Sequence, residues 1–173
     1  HDKIAIVMNA PDEAVFSEGG STPPVAVEPG GPFRVVFNGT IVGRHGLDAA
    51  IDAVLKLKDR IPHISFDIYG DGDAAERVVD RIRSLGEGTG ISFRGFVHIE
   101  ELVKIIRNAH VGVIPNIRSV FTEINFPVRI FEYLELGKPI IIHCVKAWDE
   151  IISLKIKLNP GIPWIIHGFR GKP

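Results

Sequence analysis

Between residues 33 and 145, the apolar positions of the chain follow two alternating spacings. Short apolar or alternating runs at 33–37, 63–69, 91–93, 110–115 and 139–144 predict strands. Between them, apolar residues return every three or four positions, which predicts helices from 47 to 61, 75 to 85, 99 to 106 and 127 to 136. Strand and helix alternate as a doubly wound parallel sheet requires, so the predicted fold class is α/β and Rossmann-like.

Outside this regular part, the pattern is weaker. Residues 3–8 predict a strand and 9–12 a turn, whereas 17–32 are too rich in glycine and proline to form an element. Beyond residue 145, a helix at 147–158 and a strand at 164–167 are predicted between loops. The expected division is an interdomain strand and loop at 1–32, the Rossmann-like domain at 33–145, and an atypical extension of that domain at 146–173.

The composition excludes several classes of protein. The 20 basic and 21 acidic residues nearly balance, and no basic run suggests a nucleic-acid partner. Cys144 is the single cysteine, so no intrachain disulfide forms, and its apolar surroundings predict a small core residue. No apolar run is long enough to span a bilayer, and the first residues do not have the pattern expected of a signal peptide. We expect a cytoplasmic location.

The most informative segment is the helix predicted at 127–136. Pro127 suits a first helical turn, and Gly137 followed by Pro139 ends the helix. The helix follows a strand and a polar loop at 116–125, so its free N–H groups should face the carboxyl edge of the sheet and bind an anion. Glu132 would then lie where its carboxylate accepts hydrogen bonds from sugar or ribose hydroxyls.

Two further loops lie between a predicted strand and a helix. Gly39 to Gly46 can bring its backbone close to a phosphate, with Arg44 and His45 as candidate phosphate ligands. Gly70-Asp71-Gly72 with Ala75 fits a dinucleotide fingerprint, and Arg94 after the next strand would suit NADP. However, that fingerprint normally follows the first strand of a sheet, and here a strand and a helix precede it.

Eight residues carry a specific resemblance to a known family: Glu132, Tyr133, Leu134, Gly137, Lys138, Pro139, Ile140 and Ile141. In this order they are similar to the donor-binding region of group 1 (family 4) glycosyltransferases. The resemblance implies the C-terminal half of a GT-B fold. It also implies sugar transfer from a nucleoside diphosphate sugar to an acceptor hydroxyl, with retention of configuration, no bound metal and no cofactor. The N-terminal acceptor domain would be missing from this chain, and any membrane association would come from that domain.

The resemblance also assigns roles to residues. Glu132 would hold the ribose, Arg129 would reach the diphosphate, and Glu123 would be the catalytic residue that orients the donor sugar. The family's glutamates enclose seven residues, however, whereas Glu123 and Glu132 enclose eight. The family's two phosphate-binding cations are replaced here by Thr40 and His45. The full set of expected donor-binding residues is Gly39, Thr40, Arg44, His45, Gly70, Gly72, Phe96, Val97, Phe126, Pro127, Val128, Arg129 and Glu132.

Other functions stay open at this point. An NADP-binding Rossmann domain, a sugar-nucleotide epimerase, and a non-catalytic or decayed nucleotide-binding domain share parts of the pattern. A metal site is not expected, because no two histidines share a ligand spacing on one element. No nucleophile motif of a hydrolase is present. The base and sugar of the donor, and the acceptor, are not specified by the residues.

Overall fold

The computed structural model describes residues 11–16, 25–143 and 165–168. The strands are β1 (Phe33–Asn38), β2 (Ile64–Tyr69), β3 (Ile91–Gly95), β4 (Val111–Ile114), β5 (Ile140–His143) and β6 (Ile165–Gly168). The helices are α1 (Glu13–Phe16), α2 (Leu47–Leu57), α3 (Ala75–Ser84), α4 (Ile99–Asn108), α5 (Val120–Ile124) and α6 (Arg129–Glu135), and a 3-10 turn spans Gly43–His45. None of the helices in these ranges is long and apolar enough to cross a membrane.

The strands form one sheet in the order β3-β2-β1-β4-β5-β6, and every neighbouring pair is parallel. The predicted α/β Rossmann-like class is therefore confirmed. The chain order reverses between β1 and β4, and in such sheets ligands bind beyond the carboxyl ends of the strands at this switch point. The strand predicted at 164–167 is present as β6, which pairs with β5.

Two apolar cores cover the two faces of the sheet. On one face, α2 and α3 pack on β1 and β2, where Phe37, Phe66 and Ile68 are fully buried. On the other face, α4 and α6 pack with Phe16 of α1 against the central strands. Strand β4 is buried at every position, as expected of a central parallel strand with helices on both sides.

Helix α6 ends as its sequence predicts. Gly137 has a left-handed φ of 64°, and its N–H donates to the carbonyl of Leu134, while Lys138 N–H donates to the carbonyl of Tyr133. These two bonds form a Schellman motif, which satisfies carbonyls left open by the end of the helix. The start differs slightly, because the first helical residue is Arg129 and Pro127 lies two residues before it.

The segment 116–125 was predicted as a polar loop, but it contains the short helix α5. The Ser119 side chain accepts a hydrogen bond from Thr122 N–H, and the Thr122 hydroxyl accepts one from Ser119 N–H. This capping box stabilises one short helical turn in a polar segment. Helix α1 was also not anticipated, and there Asp12 Oδ1 accepts a hydrogen bond from Ala14 N–H.

Several expectations fall on residues outside the described ranges. These are the strand at 3–8, the first half of the turn at 9–12, the loop at 17–24, the helix at 147–158 and the position of Cys144. The described residues 25–32 form no helix or strand, as predicted for that part of the loop. The three-part division of the chain stays a prediction.

A substitution at Gly112 should show how closely α6 docks on the sheet. A Cβ at Gly112 would lie 2.6 Å from the ring of Tyr133, which is fully buried. We expect Gly112→Ala to lower the free energy of unfolding by about 1 to 3 kcal/mol, because neither the strand nor the ring can move freely.

Gly43→Ala is the matched control, since a Cβ there meets nothing within 4 Å. Its free energy of unfolding should change by less than about 1 kcal/mol. Urea denaturation of both variants measures the difference, and equal stabilities would show that the Tyr133 ring is not held against β4.

Candidate functional site

A cavity of about 330 Å³ opens where β1 and β2 end. Its walls come from the carboxyl ends of both strands, the segment after β3, α4 and α6. The lining residues are Asn38, Gly39, Thr40, Tyr69, Gly70, Asp71, Phe96, Val97, Leu102 and Glu132. Six of them belong to the predicted donor site, namely Gly39, Thr40, Gly70, Phe96, Val97 and Glu132. The other four lining residues, Asn38, Tyr69, Asp71 and Leu102, are not among the predicted donor-binding residues.

A second cavity, of about 350 Å³, lies between α4 and strands β1 and β2. Its lining includes Arg34, Asp67, Glu101 and Lys104 but none of the predicted site residues. It is not at the carboxyl edge of the sheet, where α/β domains bind ligands. The cavity at the strand ends is therefore the candidate site.

Glycines bring the β1 and β2 loops into backbone contact at this cavity. A Cβ at Gly70 would lie 1.9 Å from the carbonyl oxygen of Gly39, and one at Gly72 would lie 2.3 Å from that of Ile41. The N–H of Gly39 donates to Tyr69 O, and that of Ile41 to Asp71 O. Packing between loops thus accounts for the Gly-x-Gly pattern without a dinucleotide.

The guanidinium of Arg94 is also not free to bind NADP, because it is already paired. Its Nε donates to Asp67 Oδ1 over 2.7 Å, and the two side chains form an ion pair. This ion pair with Asp67 raises the pKa of the Arg94 guanidinium. The partner of Arg94 is therefore a carboxylate on the neighbouring strand.

Glu132 lies at the carboxyl end of β1. The Nδ2 of Asn38 donates to Glu132 Oε2 over 2.9 Å and so joins β1 to α6. Burial raises the pKa of Glu132, while the hydrogen bond from Asn38 and the charge of Arg129 oppose that shift. This carboxylate is partly exposed and lines the cavity, so a ligand hydroxyl can reach it.

Arg129 places a guanidinium beneath the β1 loop. Its Cζ lies 4.7 Å from the centre of the Phe37 ring, and a Cβ at Gly39 would lie 2.9 Å from the same atom. The Nη1 atom is buried without a hydrogen-bond partner, and burial lowers the pKa of the group. Because Gly39 has no side chain, the guanidinium of Arg129 fits beneath it. The Nη1 of this guanidinium is a hydrogen-bond donor without an acceptor among the described residues.

His45 is buried close to this cation. Its Nδ1 is 2.6 Å from the carbonyl oxygen of Thr40, and its ring lies 6.3 Å from that of Phe37. Burial lowers the pKa of His45, and the charges of Arg129 and Arg44 lower it further, against the hydrogen bond to Thr40. The imidazole is thus held neutral, with Nδ1 donating to the carbonyl.

Other predicted residues lie away from the cavity lining. Arg44 is exposed, and its Cζ lies 4.9 Å from the centre of the Phe121 ring. Glu123 is in α5, where it forms an ion pair with Arg118. Phe126 stacks on Phe131 with ring centroids 4.9 Å apart.

Pro127 is buried and Val128 precedes the first residue of α6. Contact of these outlying residues with a donor stays a prediction. Among the described residues, no three His, Cys, Asp or Glu side chains are grouped closely enough to hold a metal ion.

An open, doubly wound parallel sheet with a cavity beyond its strand ends is the arrangement in which α/β domains bind their ligands. Comparison with known proteins makes this more specific. The family model for glycosyl transferases group 1 matches residues 32–159. The chain belongs to this family, as the residues between Glu132 and Ile141 predict.

Known relatives agree with this assignment. An uncharacterized glycosyltransferase of Methanocaldococcus jannaschii is 27% identical over 122 residues, which are 70% of this chain and 30% of the relative. The solved C-terminal domain of a group 1 glycosyl transferase, LpcC of Francisella tularensis, superposes with a TM-score of 0.56 at 18% identity, over 69% of this chain and 62% of that one. HepE of Anabaena, solved with UDP and glucose, superposes with a TM-score of 0.57 at 18% identity, over 69% and 32%. The chain thus spans about a third of the full-length proteins it matches.

The neutral state of His45 predicts how stability depends on pH. An unfolded histidine titrates near pH 6.5, whereas the folded pKa of His45 is lower, so the folded state binds fewer protons. This stability is present above about pH 6.5 and is lost as the pH falls through that value. His45→Gln should therefore flatten the fall in unfolding free energy between about pH 7.5 and 5.5, by up to about 1.4 kcal/mol per pH unit.

The control is His63→Gln, because His63 is exposed before β2. Burial also lowers the pKa of His110, which adds a slope of the same sign. The difference between variants, measured by urea denaturation at each pH, therefore isolates His45. Identical slopes for His45→Gln and the wild type would show that His45 protonates freely in the folded protein.

Proposed function

We propose that this chain is the nucleotide-sugar-binding domain of a retaining glycosyltransferase, which transfers a sugar from a nucleoside diphosphate sugar to an acceptor hydroxyl without a metal ion. The observation that carries the proposal is the cavity at the carboxyl ends of β1 and β2, where Glu132 and Asn38 line the wall beside Gly39, and the half-buried guanidinium of Arg129 packs under Gly39. Family membership supports the reaction class, and HepE bound to UDP supports a nucleotide donor.

In the proposed reaction, the leaving diphosphate gains charge as the bond to the sugar breaks. A cation already in place stabilises that charge without reorganising in the transition state. Arg129 has this character, because its guanidinium is fixed between Phe37 and the Gly39 backbone. Glu132 would hold the ribose, and the loop at Gly39 and Thr40 would approach the phosphates. The acceptor would bind on the part of the enzyme that this chain does not span.

The first test is a panel of nucleotides. UDP, GDP or ADP, or their sugars, should bind measurably in calorimetry, and EDTA should leave the affinity unchanged. NAD and NADP should not bind, because Gly70 and Gly72 pack against the β1 loop and Arg94 pairs with Asp67. Binding of NADP alone would overturn the proposal. Binding of no nucleotide would favour a decayed domain.

The second test compares the two predicted glutamates. Glu132→Ala should weaken binding of the selected nucleotide by about 1.5 to 3 kcal/mol, because a charged hydrogen bond to the ribose is lost. Glu123→Ala should have a smaller effect, since Glu123 is paired with Arg118 and does not line the cavity.

Glu135→Ala serves as the matched control, because this residue is on the same helix but exposed. Its affinity should equal that of the wild type. A loss for Glu123→Ala as large as that for Glu132→Ala would show that α5 closes over the donor and that the assigned roles are wrong.

A further inference from the structure

Asn38 carries a polar atom whose presence the fold alone does not explain. The side chain is only 3% exposed, and its Oδ1 is buried without a hydrogen-bond partner. An unpaired buried amide oxygen is unfavourable, and native structures contain few of them. Asn38 lies in the wall of the candidate site, at the last position of β1. This acceptor is therefore in a place where a bound ligand could supply the missing donor.

The same side chain fixes the carboxylate of Glu132. The amide Nδ2 must face Glu132 Oε2, 2.9 Å away, because a carboxylate only accepts hydrogen bonds. This orientation leaves Asn38 Oδ1 as the unmet acceptor. Within the described residues, no hydrogen bond or ion pair engages Glu132 Oε1. Asn38 and Glu132 are thus joined by one hydrogen bond, and each has one oxygen atom that can still accept another.

Two adjacent acceptors match a ligand with two adjacent hydroxyl donors. We propose that Asn38 is a specificity-determining residue, which orients Glu132 and accepts one hydroxyl of the ribose 2′,3′-diol while Glu132 accepts the other. The domain then selects ribonucleotides over deoxyribonucleotides. This inference rests on the proposed function, because it assumes that a nucleotide occupies the cavity. It adds a contact from β1 to the one that the family resemblance assigns to Glu132.

A hexose also carries adjacent hydroxyls, so the experiment must separate ribose from sugar. Affinities of UDP, GDP and ADP are measured by calorimetry beside their 2′-deoxy and 3′-deoxy counterparts, for the wild type, Asn38→Ala and Asn38→Leu. The wild type should bind its preferred ribonucleotide at least about tenfold more tightly than either deoxy form, the ratio expected from one lost charged or buried hydrogen bond. In both variants that ratio should fall to less than about threefold for one deoxy form, the one that lacks the hydroxyl accepted by Asn38. It should remain for the other deoxy form, whose missing hydroxyl is accepted by Glu132.

The leucine variant keeps the volume of the side chain in case the alanine variant is unstable. Glu135→Gln, an exposed change on α6, should keep the full ratio. The affinity for UDP-glucose is measured as well, to decide whether the ribose or the hexose supplies the hydroxyls. If the ribose supplies them, Asn38→Ala weakens UDP and UDP-glucose by the same factor. A loss confined to UDP-glucose would move the contact to the hexose and overturn the ribose assignment.

Two other results would overturn the inference and leave the proposed function in place. One is a wild type that binds ribonucleotide and deoxyribonucleotide equally. The other is a pair of Asn38 variants that lose affinity for both forms by the same factor with an unchanged ratio, since Asn38 would then only support the fold. Failure of all three ribonucleotides to bind the wild type would overturn both proposals together.

Discussion

The packing of Tyr133 over Gly112 is the contact on which the geometry of the site depends. Tyr133 is fully buried, and its ring occupies the space that a side chain on β4 would otherwise fill. Its hydroxyl donates to the carbonyl of Val36 on β1 over 3.3 Å. One side chain thus holds α6 against both strands that flank the switch point. Glu132 and Arg129, one and four residues earlier, are thereby placed at the end of β1.

The far end of the same helix is fixed by a second buried group. Lys138 is 1% exposed, and its Nζ donates to the carbonyl of Arg107 over 2.5 Å, near the end of α4. Burial lowers the pKa of this ammonium, and the charges of Arg34 and Arg107 act in the same direction. The Gly-Lys-Pro segment therefore stabilises the fold: the glycine ends the helix, and the lysine joins that end to α4 by a hydrogen bond.

Much of the fold could be predicted because its signals are local. Strand and helix spacings, and the stop at Gly137, can be identified within a few residues. Helix α5 was missed because its capping box pairs Ser119 with Thr122 instead of the more familiar acidic residue. Asn38 was missed for a different reason. A single polar residue at the end of an apolar strand forms no pattern, and its partner Glu132 lies 94 positions away.

The positive charges near the site differ from those of the family pattern. The family resemblance places cations at positions 40 and 45, where this chain has threonine and a neutral, buried histidine. The third expected cation, Arg129, lies under Gly39 and against Phe37. A charge in such a poorly solvated position acts more strongly on its surroundings than an exposed one, and its fixed side chain has little conformational entropy left to lose. A half-buried cation from α6 can therefore give the β1 loop a positive potential without the two cations of the family pattern.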